Sequence, residues 1–354
     1  MENKSVGIIG GGLTGLAAAH YLKKAGIQAT IIEARERLGG RIHTYYSDNE
    51  APIELGATWL GKKHKFLLDI LSELQIEIYE QYMGKCAVYD PISTSPPQIV
   101  QMPHNPDPTY RIKGGTSILI NHLADGMESN SIFMGTKVKS IKQSDYKILV
   151  EATDQIFEFD LVIITLPPKL FIDTIKFDPS LSQDIIDIAQ QTHTWMSESI
   201  KVALTYAHPF WKDENLIGSI FSNTGPASEM YDHSNYEKSK FALKGFINGG
   251  YAFTSQEERK HRVIAQLTKY FGKQVEDYLS YHETIWRNET FTHSDYDGFI
   301  LPHQNNGNLI YQTELMDGKL FLAGAETASL HPGYMDGAVE SGKTTAYKIS
   351  KALA

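Results

Sequence analysis

The sequence predicts an α/β protein: a doubly wound, parallel-sheet domain made discontinuous by inserted segments. Three observations predict it. A short buried-strand pattern runs straight into a glycine loop, Gly10-Gly11-Gly12-Leu13-Thr14-Gly15, and a helical pattern follows. An unbroken apolar run over 161–165 reads as a strand buried on both faces. A second strand–glycine–helix segment closes the chain, with a strand over 319–323 and a helix over 335–353. Like segments at both ends, with unlike ones between, imply one Rossmann-type nucleotide-binding unit interrupted by an α+β insertion.

The elements follow in order. Residues 5–9 form a strand, 13–25 a helix with small residues on its inner face, and 28–33 a second strand. A helix is predicted over 63–74. Six of the 14 prolines fall between Asp90 and Tyr110, so that stretch is predicted to be an irregular loop. Gly114-Gly115 precede a helix over 116–127. Segments 132–141, 147–152 and 155–159 read as a meander leading into the apolar run. From 196 to 247 the pattern is strand-like, with clear runs at 200–206 and 241–247, and 254–271 is an amphipathic, charge-laced helix. No internal repeat is visible.

Composition excludes several classes. With 42% hydrophobic residues the 354-residue chain can build a sizeable core. Lys and Arg number 33 against 42 Asp and Glu, so no excess of cation is available for nucleic acid or an anionic membrane. Cys86 is the only cysteine, which rules out an internal disulfide and a C-x-x-C metal site. The 13 histidines include no H-E-x-x-H, so no metal site is predicted, and no G-x-S-x-G offers a serine nucleophile. The longest uncharged run, 6–22, is broken by Gly10, Gly11, Gly12 and Gly15. The expectation is a soluble, cytoplasmic protein with no membrane partner. Residues 337–344 match G-x-x-x-x-G-K-[ST], but the preceding strand ends well upstream, at Ala323. The match therefore reads as helix interior rather than a phosphate loop.

The glycine loop has the flanks its chemistry requires. Gly10, Gly12 and Gly15 allow a tight turn and close approach to a pyrophosphate, with free amides at the helix start beside Thr14. Glu33, 18 residues beyond Gly15, ends the next strand where a carboxylate can accept ribose hydroxyls and disfavours a 2′-phosphate. NAD and FAD share this loop. The continuation, Glu33-Ala-Arg35-Glu-Arg37-Leu-Gly39-Gly40-Arg41-Ile-His-Thr44, separates them, because it resembles the R-x-G-G-R-x-x-S/T extension of FAD-dependent oxidases. Arg35 and Arg41 supply cations for a dianionic pyrophosphate, and Gly40 lets the main chain pass close by.

Further segments extend the likeness: Glu54-Leu-Gly-Ala57-Thr58-Trp59, Thr165-Leu-Pro-Pro168, Ile200-Lys201-Val202 with Pro209-Phe-Trp211, and Phe321-Leu-Ala-Gly324-Ala-Glu326. The last continues into His331-Pro-Gly-Tyr334-Met335-Asp-Gly-Ala-Val-Glu340. Together they resemble the flavin monoamine oxidase family of FAD-dependent amine oxidases, over almost the whole chain. The resemblance implies residues 1–60, 111–168 and 286–354 as the FAD-binding domain, and 61–110 and 169–285 as the substrate domain. It implies that Thr14, Glu33, Arg35, Arg41 and Val138 hold the adenosine and pyrophosphate end. Ala57, Thr58, Trp286, Gly324 and Glu326 would lie along the remainder, with the helix start at Met335 facing the flavin pyrimidine. Lys201 would reach flavin N5 through a water, and Tyr334 with Tyr296 would flank the substrate nitrogen.

Departures sharpen this. Where covalent members carry a cysteine the matching residue is Asp295, so the FAD is expected to be non-covalent. Residues 57–60 carry no arginine of the kind that binds an amino-acid carboxylate, which favours amines as substrates. The chain is shorter than typical members, a loss expected in the helical part of the substrate domain. The resemblance thus implies oxidation of a primary or secondary amine to an imine, with dioxygen reduced to hydrogen peroxide. A flavin desaturase or dehydrogenase of an apolar substrate stays open, as does a non-catalytic FAD-binding protein using the proline-rich loop for docking. A homodimer is compatible with the sequence.

Overall fold

A computed structural model describes residues 4–128, 130–213 and 215–353. The strand Val6–Ile9 lies at the centre of a five-stranded parallel sheet, between Leu161–Ile164 and Ala29–Ile32. Leu320–Leu322 and Ile132–Phe133 form its edges. Every residue of Val6–Ile9 and Leu161–Ile164 is buried, as expected of strands covered on both faces. One face is covered by the helices Leu13–Lys24, Met335–Leu353, Lys65–Glu73 and Ser117–Asp125, whose apolar residues share one core with it.

The first and last helices pack closely because glycines face the contact. A Cβ on Gly342 would stand 2.6 Å from the Thr14 carbonyl oxygen. Residues 337–344 are accordingly helix interior, as the sequence implies. Gly15 is tighter still, since a Cβ there would lie 2.1 Å from the Gly10 carbonyl oxygen. Gly15→Ala is therefore expected to destabilise the protein by about 1–3 kcal/mol and to weaken flavin retention. Thermal unfolding with and without added FAD reads both effects.

The other face carries a four-stranded sheet, Ile156–Phe159, Ile148–Glu151, Ser140–Gln143 and Lys176–Asp178, with the helices Pro168–Thr174 and Gln183–Gln190. The meander expected over 132–141 is thus divided. Gly135, at φ +64°, turns the chain between Ile132–Phe133 in the parallel sheet and Ser140–Gln143 in this one. Four stretches expected in the substrate domain pack on the nucleotide side instead, among them the helix Gln183–Gln190 and all but the first residue of Pro168–Thr174, which share the core just described. Lys65–Glu73 shares the core of the first and last helices, and Lys176–Asp178 pairs in parallel with residues 140–142.

A seven-stranded sheet faces this assembly, in the order Ser280–Ile285, Ile200–Tyr206, Phe241–Ile247, Ala227–Asp232, Ile217–Ser222, Cys86–Asp90 and Gln98–Gln101. Gln98–Gln101 corrects the expectation of an irregular 90–110 loop. The prolines flank this edge strand rather than interrupt it, and it pairs antiparallel with Cys86–Tyr89. The helix Gln256–Phe271 begins on a Ser255 side chain that accepts the Glu258 amide, and it buries Val263 and Leu267 against the sheet.

Candidate active site

A cavity of about 570 Å³ runs from the carboxyl ends of the parallel strands to the seven-stranded sheet. Its nucleotide end is lined by Gly10, Gly12, Thr14, Glu33, Arg35, Gly40, Arg41 and Val138. Gly12 has no protein atom closer than 3.9 Å to where a Cβ would stand, so its backbone is bare toward the space. Gly12 also caps the helix Leu13–Lys24 without a side-chain hydrogen bond, leaving first-turn amides for a ligand. The Glu33 carboxylate accepts the amides of Gly11 (2.7 Å) and Arg35 (2.8 Å), which fixes its position at the strand end. Bare glycine backbone, free helix amides, a fixed carboxylate and two guanidiniums fit a flavin dinucleotide.

The two arginines are held differently. Arg35 donates to Glu289 (2.9 Å) and the Thr292 hydroxyl (2.8 Å). Arg41 makes a bidentate pair with Glu326, at 2.5 and 2.8 Å, and donates to the Trp195 carbonyl. Glu326 is 1% exposed. Burial opposes the charge on Arg41, but the Glu326 carboxylate outweighs it and holds the guanidinium above its ordinary pKa. Glu326 therefore does not line the cavity but acts through Arg41. Gly15 and Gly324 also lie behind the lining.

Ala57, Thr58, Trp286 and Met335 line the middle of the cavity, where the Trp286 indole N–H donates to the Leu55 carbonyl (2.8 Å). The helix starting at Met335 is steadied there by Asp336, which accepts the Leu67 amide and bonds His331. At the far end stand Lys201, Trp59, Phe246, Glu229, Trp195 and Tyr334. Asp107, Pro108 and Thr109 reach it from the proline-rich segment, giving that stretch a place in the site.

Lys201 is 5% exposed, on a strand buried throughout. Its ammonium donates to the Gly56 carbonyl and to the Thr58 hydroxyl (3.3 Å), with the Phe246 ring centroid 4.9 Å away. Burial pushes its pKa down to about 8. Sequence reasoning missed Lys244. It lies fully buried on the adjacent strand, donating to the same Thr58 hydroxyl at 2.5 Å and standing 4.0 Å from the Trp59 ring centroid. A charged residue inside the apolar run 241–247 was the available signal.

The structure does not bring Tyr334 and Tyr296 together. The Tyr296 hydroxyl accepts the Thr194 amide (2.8 Å) and donates to the Thr192 carbonyl (2.9 Å), which keeps the phenol out of the lining. Trp195 lines the cavity beside Tyr334 instead, with ring centroids 5.9 Å apart, and His303 stacks on both rings, 3.8 Å from Trp195 and 5.7 Å from Tyr334. Tyr296→Phe is therefore expected to cost about 1–2 kcal/mol of stability and to leave KM for an amine little changed. A rise in KM as large as that of Tyr334→Ala would contradict this placement.

The fold and this cavity define a flavin-dinucleotide oxidoreductase whose cavity ends among aromatic side chains. The family model for flavin containing amine oxidoreductase matches residues 13–99 and 97–350, and the chain belongs to that family. Its cofactor is FAD, and it is an amine oxidoreductase. It is 25% identical to flavin-containing amine oxidase A of Sus scrofa over 452 positions, covering 98% of this chain and 85% of that one. Flavin-containing amine oxidase B of Homo sapiens is 23% identical over 460 positions, covering 100% and 87%. Those alignments are longer than this chain, so the relatives carry insertions absent here. Among solved structures, putrescine oxidase bound to putrescine superposes with a TM-score of 0.85, at 23% identity and 98% coverage of both chains. Cyclohexylamine oxidase from Brevibacterium oxydans gives 0.86, at 18% identity and 99% coverage of both. No helix among the described residues is long and apolar enough to cross a membrane.

Proposed function

We propose that this chain binds a neutral primary or secondary amine at the Trp195–Tyr334 end of the cavity and acts as an oxidase. A bound FAD would supply the two-electron acceptor for the amine α C–H and the route for those electrons to dioxygen, so that the amine would leave as an imine open to hydrolysis and dioxygen as hydrogen peroxide. The carrying observation is the cavity itself, with a dinucleotide cradle at one end and an apolar, lysine-bearing aromatic box at the other.

The chain's own residues have separable tasks. Gly12, Thr14 and the helix amides receive pyrophosphate, Glu33 receives ribose hydroxyls, and Arg35 and Arg41 neutralise charge. Lys201 sets its positive charge beside the flavin N5 position. Trp195 and Tyr334 offer ring surface that orients the amine, while Trp59 and Phe246 shield the lysine. Cys86, on the far sheet, is not part of the lining, which supports a dissociable, non-covalent FAD. Residues 1–60, 111–168 and 286–354 are assigned to the flavin side, joined by the helices Lys65–Glu73, Pro168–Thr174 and Gln183–Gln190 and the strand Lys176–Asp178. A cytoplasmic setting fits the net charge of −9 and the single free thiol.

Peroxide release on a panel of alkyl, aryl and diamine substrates tests this reading. An oxidase consumes oxygen with an equivalent of aldehyde or ketone. Turnover only with an artificial acceptor would identify a dehydrogenase.

A further inference from the structure

Two lysines bury their amines in the same apolar box, and the relatives' likeness calls for only one. Lys201 and Lys244 sit on neighbouring antiparallel strands. Lys201 pairs in register with Phe246, so Lys244 is its diagonal neighbour on the same face. Both amines converge on one hydroxyl, Thr58 Oγ1, whose own proton points to the Gly56 carbonyl (3.2 Å). The hydroxyl's two acceptor sites are then filled by lysine N–H groups. Trp59 covers both amines and Phe246 lies against both.

We propose that Lys201 and Lys244 hold a single proton between them, Lys244 being a neutral amine whose lone pair accepts from the Lys201 ammonium. Two ammonium groups this close in an apolar enclosure repel too strongly to be charged together, just as paired carboxylates share one proton. Lys244 is thus a positioning residue, acting on the cavity through Lys201.

The surrounding charges favour one retained proton rather than none. Glu54, facing both lysines from the short strand Ile53–Glu54, is held by the Thr116 amide (2.5 Å) and hydroxyl (2.9 Å) and the Thr44 hydroxyl (2.9 Å). Glu229 faces Lys201 from the strand Ala227–Asp232, its carboxylate accepting the Tyr231 hydroxyl (2.8 Å). The buried Arg111 and the neutral His233 lie against each other at 3.2 Å, and the Arg111 charge disfavours a proton on Lys244. The nearer ammonium is therefore Lys201, which lines the cavity, and the displaced proton is that of Lys244, which does not. Burial and the Lys201 charge together push Lys244 well below an ordinary lysine.

The inference rests on the proposed placement of Lys201 beside the flavin only for its consequence, not for the pairing. The full FAD-loaded chain, labelled with 13Cε-lysine, is titrated by NMR, with the two resonances assigned through K201M and K244M. The wild type is expected to show Lys201 titrating near pH 8 and Lys244 below it. In K244M the Lys201 midpoint falls by about one unit, because a desolvated cation loses its acceptor. In K201M the Lys244 midpoint rises as the repulsion is relieved. The alkaline limb of kcat/KM moves down with Lys201 in K244M. An unmoved midpoint in either variant, or a Lys244 resonance that titrates with the solvated lysines, overturns the shared proton. Should K244M not fold, the reciprocal shift in K201M decides alone. Reciprocal shifts with unchanged flavin kinetics in K201M would leave the pair standing and remove only the flavin-side role.

Discussion

Lys201→Met is expected to leave FAD bound and to slow flavin reduction or reoxidation about a hundredfold, as followed by stopped-flow absorbance. Its amine meets both the Gly56–Thr58 segment and the cavity. Methionine keeps the stem's length and apolar contacts with Trp59 and Phe246 while removing the charge. The same variant should be more stable than the wild type at neutral pH. An ordinary lysine titrates at 10.5 and the folded one at about 8, so the folded state disfavours the proton. That penalty is absent above about pH 10.5, grows as pH falls toward 8, and is complete below it. Removing the group therefore stabilises the fold below pH 8 by about 3 kcal/mol and changes little at the alkaline end. Urea unfolding at pH 7 and pH 10 measures the difference. A gain in stability coupled to a loss of rate is the signature of a group kept for function. Unchanged rates would remove the role and keep only the burial.

Arg41→Ala is the second large effect, and it acts on retention rather than rate. Glu326 is 1% exposed and both its oxygens face Arg41, so alanine strands a buried carboxylate. Loss of about 3 kcal/mol of stability is expected from breaking such a pair, along with a weakening of FAD binding of at least about tenfold. Flavin released on gel filtration, measured by fluorescence, tests retention. Glu326→Gln provides the partner control. It keeps the shape of the pair without the buried charge, and it is expected to lose less stability than Arg41→Ala.

The nucleotide end of this site was legible in the sequence because its chemistry is local. Gly10, Gly12, Gly15 and Glu33 lie within one strand–helix–strand passage, and the final helix was readable to the residue because its apolar spacing is continuous. The substrate end was not legible in the same way. Lys244 meets Lys201 only through the register of two strands some forty residues apart, and no spacing within either run reveals that contact. Trp195 stands where Tyr296 was expected because the Thr192 and Thr194 backbone groups hold the phenol. Gln98–Gln101 escaped for the opposite reason: the prolines at 96, 97 and 103 signal a loop, yet all of them lie outside the four paired residues. Local patterns thus located the cofactor cradle, while long-range pairing built the pocket that decides the substrate.

The most direct test of the central claim is the absorbance spectrum of the purified chain during anaerobic titration with amines. A non-covalently held FAD oxidising amines predicts a yellow protein whose flavin band bleaches stoichiometrically with a substrate amine and returns on admitting oxygen, with peroxide formed. A colourless protein that takes up no added FAD, or a flavin band that no amine bleaches, would contradict it.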